Sequence, residues 1–231
     1  MLALGAYLVA RGTSLFAIGR IEVEGGSPRV DRQVRRALAS FVGRSLVGLD
    51  GAAVSRKVDA LPTVARSSYD RAFPHTLRIV VVPERPAAVL RRGPDGWLVS
   101  VRGRVIERLP SHAEPRLPRI WIPARTPVGA GAEVGAPGVR ATTRAVALAG
   151  TFASRVATAS DANGVLVFHL RSGLELVLGG GGDIGLKVAV AERALALLPG
   201  GSTFLDVSVP SRPVSGADPS GSTAPQGSSR G

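Results

Sequence analysis

The chain has 231 residues, of which 45% are hydrophobic and only 4% aromatic, so a packed aliphatic core is expected and wholesale disorder is excluded. It contains no cysteine, which excludes disulfides, thiolate metal sites and cysteine nucleophiles. The net charge is +12, but the basic residues are scattered and do not interleave with aromatic side chains, so no nucleic-acid partner is predicted.

The first ten residues, MLALGAYLVA, are uncharged and apolar, and Arg11 follows them. This run is about half of the ~20 apolar residues that a membrane-spanning helix needs. We interpret residues 1–15 as part of a transmembrane anchor with Arg11 near the outer membrane surface. A buried terminal strand or helix is the alternative.

Residues 16–85 predict the order β-α-α-β-β. Alternating apolar residues predict a strand over 16–24, and Ser27 begins a helix with Pro28 in its first turn. Asp50 caps a second helix, which ends at proline 62. Two helices on one face of a three-stranded sheet make a stable two-layer domain.

The two remaining strands of this domain lie around a proline turn. Alternation predicts strands over 64–73 and 76–82, and Pro74 and His75 form the turn between them. Pro83 and Pro86 cannot donate hydrogen bonds to a sheet, so they end the last strand.

Residues 86–210 predict a mainly antiparallel β domain with two flanking helices, over 139–154 and 184–198. Its last strand is predicted over 203–209, in the segment TFLDVSVP. Residues 211–231 consist largely of Ser, Gly, Pro and Ala, which predicts a disordered tail. The predicted fold class is therefore α+β.

Four segments carry a resemblance to one known family: FAIGRIEVEGG, LPTVARSSYDRAFPHTLRIVVVPERPAAVL, VSVRGRVIERL and TFLDVSVP. The second is the most specific, because many spaced positions agree with the family pattern. Those positions are Leu61, Pro62, Val64, Phe73, Pro74, Thr76, Leu77, Ile79, Val81, Glu84, Arg85, Pro86 and Ala88. Over residues 2–210 the chain resembles the FtsQ/DivIB cell-division proteins, with a POTRA domain followed by an FtsQ-type β-domain.

The resemblance implies a non-enzymatic scaffold that needs no cofactor, metal or small-molecule substrate. It implies a single-pass protein of the inner membrane, with most of the chain outside the cytoplasm, that recruits FtsB-like and FtsL-like proteins to the division septum. The partner is expected to add a strand to the last strand of the β-domain, since an edge strand offers unpaired backbone groups. The partner-binding residues implied are Thr203, Phe204, Leu205, Asp206, Val207, Ser208, Val209 and Arg212.

The predicted site departs from the family pattern, which often reads aromatic-x-Asp-x-Arg-aromatic. Phe204 and Asp206 fit it, but Ser208 and Val209 replace the arginine and the final aromatic residue. The charge pair to the partner is then either absent or supplied from elsewhere, for example by Arg212. The alternative function is a POTRA-bearing component of outer-membrane assembly or protein transport, although the serial amphipathic strands of a barrel are missing.

The segment 180–185 reads G-x-G-x-x-G, and Asp206 follows about 20 residues later, as in dinucleotide-binding proteins. We reject this interpretation, because the preceding strand is predicted to pair in an antiparallel hairpin and Asp206 to lie inside a strand. His75, His112 and His169 lie far apart without acidic partners at ligand spacing, so no metal site is predicted. No set of nucleophile, base and orienting group emerges either.

Overall fold

The computed structural model describes residues 14–110, 113 and 116–217, and these divide into two compact units. The first unit extends to Arg85 and also includes residues 104–107 and 129–132, which we had predicted to lie in the second domain. The second unit begins at Pro86.

The first unit is a three-stranded sheet with two helices, in the predicted order β-α-α-β-β. Its strands are β1 (Arg20–Glu24), β2 (Val64–Ala72) and β3 (Thr76–Pro83), and its helices are α1 (Pro28–Ala37) and α2 (Gly51–Asp59). The central strand β3 runs parallel to β1 and antiparallel to β2. Within the described residues, the prediction of an α+β fold with this order is confirmed.

Both predicted helix caps are present. The Ser27 hydroxyl accepts a hydrogen bond from the Val30 N–H at 3.4 Å, and the Asp50 carboxylate accepts one from the Ala53 N–H at 3.1 Å. Each bond satisfies one of the backbone donors left unpaired at the start of a helix. The helices bury Val34 and Val58 against the sheet in a core that includes the fully buried Leu77.

Strand β1 is shorter than predicted. Residues Ser14–Phe16 form a short 3-10 helix, and Ala17 makes an isolated antiparallel bridge to Ser45. The backbone of residues 16–18 therefore bonds to the loop after α1, and pairing with β3 begins only at Arg20.

Gly25, between β1 and α1, is required both for its conformation and for its small size. Its φ is +84°, and an added Cβ would lie 2.4 Å from the Val81 carbonyl oxygen. Gly43 has almost the same φ, +83°, but nothing lies within 4 Å of an added Cβ. Gly43→Ala should therefore cost only the roughly 1–2 kcal/mol of a left-handed alanine.

Gly25→Ala should lower the free energy of unfolding by more than Gly43→Ala does, because the Val81 backbone must also move. Urea unfolding of the two variants, followed by far-UV circular dichroism, measures the difference. Equal losses would mean that the close approach of β3 to Gly25 contributes nothing.

The second unit contains most of a nine-stranded mixed sheet with the order β12-β11-β10-β9-β8-β7-β4-β5-β6. The strands are β4 (Pro86–Arg92), β5 (Asp95–Ser100), β6 (Val105–Arg108), β7 (Arg119–Trp121), β8 (Val156–Ala162), β9 (Val165–Leu170), β10 (Glu175–Gly179), β11 (Phe204–Asp206) and β12 (Val214–Gly216). The helices are α3 (Pro137–Leu148) and α4 (Ile184–Leu195). The pairs β12–β11, β10–β9, β9–β8 and β4–β5 are antiparallel, and the pairs β4–β7, β7–β8 and β10–β11 are parallel.

Two predictions about the end of the chain are wrong. The strand predicted over 203–209 is only three residues long, and it is not the last strand, because β12 lies in the segment predicted to be disordered. The chain turns back after Val207, with the Arg212 N–H donating to the Val209 carbonyl at 3.0 Å. The turn lets residues 214–216 pair with the outer edge of β11, and this pairing orders a segment whose composition alone predicts disorder.

The anchor predicted over 1–15 and the remaining tail over 218–231 lie almost wholly outside the described residues. Among the described residues, no helix is long and apolar enough to cross a membrane.

Candidate partner-binding edge

A row of aligned residues crosses the sheet towards its β12 end. Phe168 of β9 lies opposite Leu176 of β10, which lies opposite Leu205 of β11, which in turn lies opposite Ser215 of β12. The first three side chains are buried, and Leu205 is only 1% exposed. Residues directly opposite one another share a face of the sheet, so this row buries β11 against the core, while its last member, Ser215, is exposed.

On the other face, an aromatic ring covers a glycine. Phe204 lies opposite Gly216, and a Cβ added to Gly216 would lie 2.8 Å from the Phe204 ring. The Thr203 N–H also donates to the Gly216 carbonyl at 2.8 Å. Gly216 thus allows the ring to lie directly on the backbone of β12.

Strand β11 is paired on both sides, which contradicts its predicted position at the edge. It runs parallel to β10 through Leu176 and antiparallel to β12 through Ser215. Within the described residues, β12 is the terminal strand at this end of the sheet. The free backbone edge predicted for residues 203–209 therefore belongs to Val214–Gly216.

The predicted site residues range from buried to exposed. Leu205 and Val207 are buried, and the Val207 N–H donates to the Val177 carbonyl at 2.9 Å. A charge or a proline at either position would disrupt the core or the sheet, so it would not test partner binding. Val209, 54% exposed, and Arg212 lie in the turn that leads to β12.

Asp206 and Ser208 form a local turn. The Asp206 carboxylate accepts a hydrogen bond from the Ser208 N–H at 2.8 Å, and both side chains are partly buried. This bond fixes the chain direction after β11, a structural role that the partner-binding prediction did not include.

Sequence reasoning missed Val214, Ser215 and Gly216. The usable signal was a β-branched residue followed by Ser-Gly directly after Pro213, close behind a predicted strand. The many Ser, Gly and Pro residues around this signal led to the prediction of disorder.

The G-x-G-x-x-G segment lies in a strand-helix-strand arrangement with parallel strands, which the sequence analysis did not predict. Strand β10 is antiparallel to β9 as predicted, but it is also parallel to β11, and α4 connects the two. Asp206 is the last residue of β11 and does not lie inside it. Both structural reasons that we gave are thus wrong or incomplete.

The side chains around this loop nevertheless do not favour a dinucleotide. The Lys187 ammonium, on a residue only 6% exposed, donates to the Gly180 carbonyl at 2.7 Å and holds the glycine loop against α4. The Asp206 carboxylate, which would bind a ribose, already accepts the Ser208 N–H. The contacts around this loop are explained by the packing of α4.

The described histidines make structural contacts. His75 lies 3.2 Å from the Ala17 carbonyl through Nδ1, and His169 lies 3.7 Å from the Glu175 carboxylate on the neighbouring strand. His112 is outside the described residues. Among the described residues, no group of three histidine or acidic side chains is placed to hold a metal ion.

Comparison with known proteins supports the resemblance. The family pattern of the FtsQ-type POTRA domain matches residues 16–84. The cell division protein FtsQ of Shewanella oneidensis is 36% identical over 84 residues, which cover 36% of this chain and 30% of that protein. The cell division protein FtsQ of Corynebacterium glutamicum is 25% identical over 99 residues, which cover 43% of this chain and 45% of that protein.

The aligned part of the chain thus spans less than half the length of these two relatives. The matched residues 16–84 coincide with the sheet and the two helices of the first unit. Residues 16–84 of this chain therefore form an FtsQ-type POTRA domain, and the chain is related in sequence to FtsQ cell division proteins.

Proposed function

We propose that this chain is a non-enzymatic scaffold of bacterial cell division. It is anchored in the inner membrane, holds its folded units outside the cytoplasm, and recruits FtsB-like and FtsL-like proteins to the septum. The FtsQ-type POTRA domain and the two FtsQ relatives support a role in cell division. The observation that carries the recruitment mechanism is the terminal position of β12 in the nine-stranded sheet.

Recruitment occurs by addition of a partner strand to the outer edge of β12. A strand at the end of a sheet has a row of backbone N–H and C=O groups without a sheet partner, and an extended peptide completes the ladder. Strand β12 is held in place by β11, whose Leu205 is anchored in the core. This support makes the edge rigid before the partner arrives, which lowers the cost of ordering on binding.

Exposed side chains next to this edge supply further contacts. Val214 and Val209 are 57% and 54% exposed, and a partner strand can cover both. Arg212 is exposed as well and offers a charge to an acidic residue of the partner. The backbone ladder gives most of the affinity, and these side chains give selectivity.

Ser215→Pro tests this mechanism. Proline has no N–H, so one hydrogen bond is lost whether the Ser215 N–H faces β11 or the partner. One ladder bond is worth about 1 kcal/mol, so the affinity for the purified FtsB-like and FtsL-like pair should fall at least about fivefold. The measurement is a titration of the full chain in detergent micelles.

Ser222→Pro is the matched control, because it places the same substitution six residues beyond Gly216, and it should bind like the parent chain. Equal affinity of Ser215→Pro and Ser222→Pro would remove β12 from the proposal.

A further inference from the structure

The first unit has an unusually apolar end. Leu15, Phe73 and Val42 are 66%, 56% and 52% exposed, and they are the three most exposed large apolar side chains of the described residues in this unit. The other three, on β2 and β3, are only 36–42% exposed. Large apolar side chains exposed together indicate an interaction surface.

Backbone contacts bring these three side chains to the same end of the unit. Residues 15–19 lie between the loop 42–46 and the turn 73–75. The Leu46 N–H donates to the Phe16 carbonyl at 2.8 Å, and the Ile18 N–H donates to the Arg44 carbonyl at 2.9 Å. On the other side, the Gly19 N–H donates to the His75 carbonyl at 2.9 Å, and the rings of Phe16 and Phe73 meet edge to face at 5.6 Å. We call this end the 15/42/73 surface.

The 15/42/73 surface carries cations and no carboxylate of its own. No aspartate or glutamate occurs in residues 14–20, 42–46 or 72–76. The Arg44 guanidinium and the Lys57 ammonium each lie 5.3 Å from the centre of the Phe41 ring, beside Val42. Arg20 also lies at this end, but Glu22 at 3.6 Å offsets its charge. Exposed apolar groups flanked by cations fit the boundary of a bilayer that contains anionic lipids.

We infer that the 15/42/73 surface docks on an anionic lipid bilayer, with Leu15, Val42 and Phe73 inserted among the headgroups. The apolar run 1–10 ends five residues before Leu15, so a fully extended chain keeps Leu15 within about 18 Å of that run. The inference rests on the proposed membrane anchor and extends it. A single anchor would leave the unit free to rotate, whereas docking holds it in one orientation against the membrane.

The absence of cysteine allows a direct test. Single-cysteine variants Val42→Cys and Phe73→Cys carry an environment-sensitive nitrobenzoxadiazole label. Val82→Cys is the matched control, because Val82 is also exposed, at 42%, but lies about 20 Å along β3 from Thr76. Each full chain is reconstituted into vesicles of phosphatidylethanolamine and phosphatidylglycerol that contain a doxyl-labelled quencher lipid.

Emission from labels at positions 42 and 73 should be blue-shifted and quenched by the doxyl lipid, and the label at position 82 should not respond. Arg44→Glu should reduce the quenching at both positions, because it places a negative charge at the headgroups. Circular dichroism shows that each variant is folded. If Phe73→Cys does not fold, Leu15→Cys, at an even more exposed position, replaces it.

The results separate docking from anchorage. Suppose that the chain enters the vesicle fraction but the labels at positions 42 and 73 are quenched no more than the label at position 82. This result would overturn docking and leave the proposed anchor intact. A chain that does not enter the vesicle fraction overturns both. The blue shift at positions 42 and 73 could instead grow with the number of protein chains per vesicle and not depend on the doxyl lipid. That result would assign the surface to contact with a second copy of the chain and overturn docking on lipid.

Discussion

A chain that ends at Pro213 is expected to lose capture of the FtsB-like and FtsL-like pair, whereas a chain that ends at Ala217 should keep it. The two truncations differ only in residues 214–217, which contain the whole of β12. Both remove residues 218–231, so any contribution of that segment cancels in the comparison. Co-purification of the pair with each chain, expressed together in bacteria, measures the difference.

The comparison also decides between two positions for the site. Without residues 214–217, the outer edge of β11 loses its partner, and its own backbone groups become available to a peptide. Equal or tighter capture by the chain ending at Pro213 would therefore locate the docking strand on Phe204–Asp206 and make β12 a removable cover. Loss of capture assigns docking to β12. Circular dichroism of both chains checks that the rest of the sheet is folded.

The first unit could be predicted closely because its signals are local. A side-chain cap, an alternating strand or a proline stop involves only a few consecutive residues, and Ser27 and Asp50 make the bonds that the sequence indicates. The exception was the start of β1. The segment from Phe16 alternates like a strand, but its backbone bonds to a loop about 27 residues later, which no local pattern encodes.

The end of α3 shows how one residue can override a helical pattern. We predicted one helix over 139–154. The helix ends at Leu148, and Gly150 has a φ of +55°, in the left-handed region where a glycine ends a helix. Residues Gly150–Arg155 then continue as a 3-10 helix. The glycine was visible in the sequence, but alanine-rich periodicity on both sides concealed its role.

The edge of the large sheet could not be predicted, because strand order is a non-local property. The pairing of β10 with β11 joins residues about 30 positions apart, and a whole helix lies between them. Which strand is last depends on three residues, Val214–Gly216, whose hydrogen bonds to β11 exist only in the folded sheet. The sequence therefore predicted the edge at β11, whereas the terminal strand of the described sheet is its neighbour β12.

Phe168→Ala should lower the free energy of unfolding of the second unit by about 3–5 kcal/mol. Phe168 is fully buried, between Ala159 and Leu176 on the neighbouring strands, and its removal combines lost burial with a cavity that rigid strands cannot fill. A typical domain is stable by only about 5–15 kcal/mol, so this loss is a large fraction of the total.

Both tryptophans, Trp97 and Trp121, lie in the second unit, so tryptophan fluorescence during urea unfolding reports on this unit alone. Val165→Ala is the control, since Val165 lies on the same strand but is 42% exposed, and its loss should stay near 0.5 kcal/mol.

Because Phe168 begins the row that continues through Leu176 and Leu205 to β12, Phe168→Ala should also weaken partner capture at temperatures where the parent chain is stable. Gly25→Ala, which acts in the other unit, should not weaken it. Equal losses of unfolding free energy in Phe168→Ala and Val165→Ala would mean that the row from Phe168 to Leu205 does not anchor β12. The rigidity that we assign to β12 would then have to come from the turn that precedes it.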